Sequence, residues 1–494
     1  MAFSPDLHHH SNGGGLSNRR LAFSSEMALS LRTWPSRFLA RPWLLAFVPI
    51  NAATSGFGVV LPLLILISLH GSWADVAVAA TLYNSAVILM SVLWGHLSDK
   101  HPVRRTFLVI NFAGFGVLYA ILAGVHTLPE LYAVYAVIGA VAPAGASASN
   151  LLILEKFSDG ERPTAFASYQ EMSMIGSIIG VLIGYFWTLA SDALLNLLFL
   201  LAALALVSAV AVWFGIKEAP RKLKGSNVAR HPESLLSHFR ELTTYRLSIP
   251  FFPTRPALGR GAWRRLRTWV RAELHHELPL IMIASFLFNL SGNLFNISYT
   301  PYLYSAGLAA SSIFLVNLSN NFAQTLIFPF TGGFSTRSGP DRLVQRATYL
   351  RALGYLATAG FTFVAFTEPG AFEANLGVYA LLGGAIAVYT TASTLILYRG
   401  LVGRDAGGLI GVNTALGGAA AVGGAGLSGI LAVFGSFRLV FLVSGGLLLV
   451  SLPLWTAASV AYTRRRYGAP RSGDAPREGT VTTPVDAATT AGAP

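Results

Sequence analysis

The chain has 494 residues, of which 53% are hydrophobic and 12% charged, and its formal net charge is +13. Charged residues supply about a quarter of a soluble domain, so this composition excludes an ordinary soluble globular protein. The absence of cysteine excludes disulfides, Cys-containing zinc sites and thiol nucleophiles.

Residues 1–42 are polar and rich in Gly, Ser and Arg. They read as a disordered, cytoplasmic N-terminal segment with no cleavable signal pattern. Nothing before Met27 has a structural pattern, which makes Met27 an alternative start, and the tract His8–His10 lacks metal-site company. A membrane-spanning helix needs about 20 mostly apolar residues. Such runs fall at 43–69, 73–97, 105–127, 130–154, 164–189 and 193–215, then at 279–304, 310–334, 345–367, 375–399, 407–433 and 437–462. The spacing therefore predicts an all-α integral membrane protein of twelve transmembrane helices in two six-helix bundles, 43–215 and 279–462. Between them lies a basic linker, 216–278, in which Trp263, Leu266, Val270 and Leu274 alternate with Arg264, Arg265, Arg267 and Arg271. This pattern suits an amphipathic helix on anionic lipid. Residues 463–494 read as a disordered cytoplasmic tail.

Lys and Arg set the orientation of such a chain. The segments before span 1 and after every even-numbered span carry 34 of the 35 basic residues, with Arg337, Arg342, Arg346 and Arg351 assigned to the stretch after span 8. Only Arg438 falls on the other side. With their acids, the two faces come to +18 and −4, and Glu171 is left inside a span. The positive-inside rule thus accounts for the net charge without nucleic acid, and it places both termini in the cytoplasm.

The two halves also resemble each other, as the halves of transporters do. Val134–Gly139 and Ala148–Leu154 match Val378–Gly383 and Ala392–Tyr398 at an offset of 244. Asn84 precedes Gly95 by eleven residues, and Asn321 precedes Gly332 by eleven.

The segment Gly95-His96-Leu97-Ser98-Asp99-Lys100, followed by Arg104-Arg105, resembles the signature loop between helices 2 and 3 of the major facilitator superfamily. Pro102-Val103 replace one glycine of that motif, and a degenerate second copy runs from Gly332 through Arg337 to Gly339. The resemblance implies pseudo-symmetric bundles working by alternating access. It also implies a cytoplasmic gate built from Gly95, Asp99, Lys100, Arg104, Arg105, Glu155, Arg162, Gly332 and Arg337. An Asp at a helix C-terminus does need a cation or an opposing helix N-terminus. Gly176, Gly180 and Gly184 share one face of span 5 and allow close packing, as do Gly417 and Gly424 in span 11. The first three are similar to the family's antiporter motif, but Val181 and Ile183 replace its Pro and a Gly, and Tyr135 stands where proton antiporters often have Arg.

Burial of an Asp at mid-helix costs at least ~2.5 kcal/mol, so Glu171 is a candidate proton-coupling residue. It lies roughly 13 Å along the helix from Arg162. The other polar residues of the spans are neutral. In the superfamily fold, helices 1, 4, 7 and 10 line the cavity. The resulting candidate lining is Asn51, Asn150, Asn289, Asn293, Asn296, Tyr299, Asn320, Asn321, Gln324 and Thr391, with interhelical hydrogen bonding as the alternative role for each. With no Lys or Arg placed inside a span, this lining suits a neutral or amphipathic solute and not an anion.

The expected function is secondary active transport in the cell membrane. Its partners are a small-molecule substrate and membrane lipid, and no nucleic acid is expected. The chain is expected to be a monomer without cofactor or metal, beyond a coupled proton. Competing readings are a drug/proton antiporter lacking the helix-4 Arg, a non-transporting sensor, and a lipid-modifying membrane enzyme.

Overall fold

Twelve long helices follow one another in the computed structural model, which describes residues 42–100, 103–157, 162–191, 193–216, 277–364, 368–401, 406–434 and 436–467. They are α1 (Phe47–Leu63), α2 (Trp73–Lys100), α3 (Arg104–Leu122), α4 (Leu128–Lys156), α5 (Arg162–Ala190) and α6 (Leu194–Gly215). The second set is α7 (Glu277–Ser305), α8 (Ala310–Ser338), α9 (Pro340–Phe361), α10 (Glu368–Leu401), α11 (Ala406–Val433) and α12 (Phe437–Tyr467). The amphipathic segment around Trp263 and both termini lie outside the described residues.

Ten of these helices are long and apolar enough to cross a membrane. The two that fall short are α8, rich in Asn and Ser, and α9, which carries Arg342, Arg346 and Arg351. In a bilayer every backbone group must bond within the protein, and the chain meets this with helices that start and stop on local signals. Pro129 sits in the first turn of α4, and a π-helical turn, Leu64–Ser68, ends α1. At the α8–α9 junction one residue does the work. Gly339, at φ +76°, donates its N–H to the Ser335 carbonyl, and Pro340 opens the next helix. A left-handed glycine after a helix and a proline at the first position of the next form an efficient stop and start.

Packing repeats in the two halves. Helix α1 packs on α5 as α7 does on α11, α2 on α4 as α8 on α10, and α3 on α6 as α9 on α12. Between the halves, α2 meets α11 and α5 meets α8. Twelve transmembrane helices in two pseudo-symmetric six-helix bundles are thus the architecture. Without a hydrophobic force between helices in lipid, close backbone approach supplies the attraction, and glycine permits it. Gly180 faces the Ala52 carbonyl with no space for a Cβ, and Gly139 and Gly383 sit equally hard against the backbones of Tyr83 and Asn320.

Helix α9 starts five residues earlier than its hydropathy implies, because a single residue joins it to α8. Arg351 is therefore half-way along a 22-residue helix and is buried, and it does not belong to a loop. The excess on the basic face falls from +18 to +17, and the interior holds one cation beside Glu171.

Candidate functional site

The bundles touch through α2 and α11 and through α5 and α8. Trp73 of α2 stacks on Phe437 of α12 at 4.2 Å and donates from Nε1 to Ser428 Oγ on α11 at 3.2 Å. Ser428 is also paired with Ser298 of α7, Oγ to Oγ, at 2.8 Å. Nearby, a Cβ built on Gly429 would stand 3.3 Å from the Ala77 Cβ, and Gly184 lies against the Phe314 ring. All these residues lie away from the basic helix ends. Toward the basic face, Gly95 on α2, Gly332 and Gly333 on α8 and Gly417 on α11 each have open space where a side chain would begin. Among the described residues, the contacts of Trp73 and Gly429 join the bundles at the end away from the basic face.

Two asparagines occupy equivalent places in the two bundles. Gly176 of α5 meets the Val48 carbonyl, the Asn51 Cβ and the Ala52 nitrogen; Gly424 of α11 meets the Leu290 carbonyl, the Asn293 Cβ and the Leu294 nitrogen. The contacted residues are related by a constant 242 positions and the glycines by 248, so each glycine packs closely on an asparagine-bearing helix. Asn51, Asn289 and Asn293 each donate to the carbonyl four residues earlier, at 2.7–2.9 Å. Only the amide nitrogen can make that bond, which leaves each Oδ1 as an available acceptor. Asn289 and Asn296 are exposed and Asn293 is half-buried, on the one polar stripe of an otherwise buried helix.

Other members of the expected lining are engaged elsewhere. Tyr299 is fully buried and donates to Asn375 Oδ1 at 3.2 Å, inside the C-terminal bundle and off the cavity. Asn320 donates to the Tyr379 carbonyl at 2.9 Å and accepts from Gln324 at 2.6 Å, while Thr391 donates to Thr331 at 3.0 Å. These bonds tie α8 to α10. Asn321 is half-buried on the same helix, and the Asn150 side chain is outside the described residues.

The expected gate is only partly described, since the side chains of Asp99, Lys100, Glu155 and Arg162 fall outside the described set. Arg104 is buried, and Arg337 is exposed. Arg105 turns to α6, 4.5 Å from the Trp213 ring with Nη1 on its carbonyl at 3.4 Å. Lys156 lies over Trp43 at 4.8 Å, and partial burial pulls its pKa down. The basic end of the second bundle carries a pair that the sequence reading missed. Arg399 of α10 grips Asp341 of α9 with both terminal nitrogens, at 2.7 and 2.9 Å, and covers Tyr462 of α12 at 3.6 Å. Burial would lower the Arg399 pKa, but Asp341 more than offsets this and the net shift is upward. The repeat offset of 244 carries Arg399 onto Glu155, which was the available signal. Glu171 is half-buried nine residues into α5.

Arg351 is the larger omission. Its Nε donates to Tyr355 Oη at 2.6 Å, and the guanidinium carbon stands 4.5 Å over the Phe288 ring of α7 and 5.3 Å over that of Tyr355. Phe288 itself stacks on Tyr389 of α10, with centroids 3.3 Å apart and planes within 2°. A Cβ on Gly292 would be 2.8 Å from Arg351 Nη2, so that glycine admits the guanidinium. Among the described residues no carboxylate pairs with Arg351.

The model of the Major Facilitator Superfamily matches residues 43–399. The chain belongs to this superfamily. Among curated proteins, none matches the sequence. Solved structures do. The nucleoside transporter NupG is similar with a TM-score of 0.62 at 13% identity, covering 85% of this chain and 98% of that one. A bacterial homolog of the human lysosomal transporter Spinster, inward-facing and unoccupied, gives 0.59 at 13%, covering 88% and 99%. The xylose transporter XylE from E. coli, in a partially occluded inward-open conformation, gives 0.57 at 15%, covering 88% and 97%. Such identities establish the shared fold. This superfamily member is a multi-pass membrane protein of the transporter class.

Proposed function

We propose that this chain is a secondary active transporter of the cell membrane, moving a small polar solute by rocker-switch alternating access. Its basic face and both termini lie in the cytoplasm, as the positive-inside pattern requires. The carrying observation is the contact between bundles: the stack of Trp73 on Phe437 holds the outer end, away from the basic inner end. Between these ends, the acceptor oxygens of Asn51, Asn289 and Asn293 favour a solute that brings N–H or O–H donors. The buried Arg351 on α9 puts a cation within a span, so an acidic group on the solute is compatible with this fold.

Glu171 supplies the proton-coupling reading. A carboxyl half-buried nine residues into α5 is a candidate to carry a coupled proton, since ionisable groups are rare within spans. Purified protein in liposomes is to be screened for saturable solute uptake, with and without an imposed pH gradient. Gradient-driven accumulation by the wild type that is lost in Glu171→Gln, while downhill uptake persists, is the expected result. Uphill accumulation by Glu171→Gln at the wild-type rate contradicts the coupling role, and flux without saturation contradicts the carrier.

A further inference from the structure

Arg351 presents an unusual balance of charge. A guanidinium stays protonated at any accessible pH, so it cannot escape burial by losing its charge as Lys or His can. Leaving such a charge without a counterion inside a protein is strongly unfavourable. Yet Arg351 is only 5% exposed, half-way along a helix, and its polar contact in the protein is one hydrogen bond from Nε to Tyr355. The two terminal nitrogens, which form the fork that matches a carboxylate or phosphate, have no acceptor among the described residues. Phe288 and Tyr355 offer their ring faces. A cation over an aromatic face is attracted to it, but the ring is no full counterion.

The position of this charge is informative. The guanidinium reaches α7 at Gly292, one residue from Asn293, whose amide oxygen is an available acceptor. Phe288, which covers the guanidinium, is followed directly by the exposed Asn289. Phe288, whose ring the guanidinium faces, stacks in turn on Tyr389 of α10.

We propose that Arg351 is the anion-binding residue of the carrier. The solute is then a small organic acid bearing N–H or O–H donors. Its acidic group pairs with the terminal nitrogens of Arg351, and its donors meet the amide oxygens of Asn289 and Asn293. Phe288, stacked on Tyr389, covers one face of the guanidinium. This inference rests on the carrier reading above and deepens it by naming the substrate class.

A structural arginine and a ligand-binding one respond oppositely to neutralisation. Removing a structural cation lowers stability, whereas removing a charge kept for a ligand relieves the empty protein of a burial cost. The test is thermal unfolding of the purified full chain in detergent, comparing wild type with Arg351→Met combined with Tyr355→Phe, which leaves no phenol orphaned. Lactate, alanine, succinate and inorganic phosphate serve as probes, with lactamide and succinamide as uncharged matches, all at constant ionic strength. The empty double variant is expected to melt at or above the wild-type temperature. At least one acidic probe should raise the wild-type melting temperature with concentration, Arg351→Lys should keep a reduced shift, and the double variant none. The proposal is overturned if the empty double variant melts below wild type, if the acid-specific shift survives in it, or if no acidic probe shifts the wild type. The carrier reading is separated by liposome uptake. Transport persisting in Arg351→Met removes the arginine's role alone, whereas a wild type that moves no solute removes the carrier.

Discussion

Gly180 and Asn293 show how single residues serve the two tasks of this molecule, packing and recognition. Gly180 presses on the Ala52 carbonyl so closely that no side chain fits. Gly180→Val should therefore force α5 away from α1 and cost about 1–3 kcal/mol, the usual range for overpacking, visible as a lower melting temperature in detergent. Asn293 makes its hydrogen bond within its own helix and keeps an oxygen free. Asn293→Ala should leave the melting temperature near wild type and weaken solute affinity about 3- to 10-fold, as for one lost hydrogen bond. An unchanged affinity would remove this residue from the site. The sequence distinguished these glycines by their four-residue spacing but could not separate the asparagines by task. Asn320 and Asn293 are the same residue type at similar depth. One spends both amide ends on α10 and Gln324, the other only its nitrogen, and that difference depends on which helix stands opposite.

At the scale of helices, α9 shows where hydropathy misleads. Its first turns carry Asp341, Arg342 and Arg346, so an apolar window slides toward the C-terminus and leaves Arg351 looking like loop charge. What fixes the true start is Gly339-Pro340, a signal of backbone conformation and not of polarity. The Gly339 φ of +76° is open to glycine but strained for other residues. Gly339→Ala should destabilise the protein by about 1–2 kcal/mol, although nothing crowds that site; a melting temperature equal to wild type would contradict the assigned turn. The Asp341–Arg399 pair depends on the same junction, because it needs Asp341 in the first turn of α9 facing the end of α10. Element count and order were legible because twelve long apolar runs leave few alternatives. The partners of the buried charge were not, since an arginine satisfied by Tyr355 and the Phe288 ring has no signature in spacing.

For the whole molecule, the repeat explains more than the fold. Equivalent glycines packed on Asn51 and Asn293 place similar groups in both bundles, and on the carrier reading a solute is held from two sides that can move relative to each other. The net charge of +13, which first set this chain apart, orients the pair in the membrane. The central claim is that the bundles must part at their outer end for transport to occur. The chain contains no cysteine, so an introduced pair is unique. Ala77 and Gly429 face each other across the outer contact with Cβ positions 3.3 Å apart, close to the span of a disulfide. The decisive measurement is solute uptake by Ala77→Cys/Gly429→Cys protein in liposomes, oxidised and then reduced. Oxidation should cross-link the bundles and stop uptake, and reduction should restore it. Full uptake by the cross-linked protein would contradict the account.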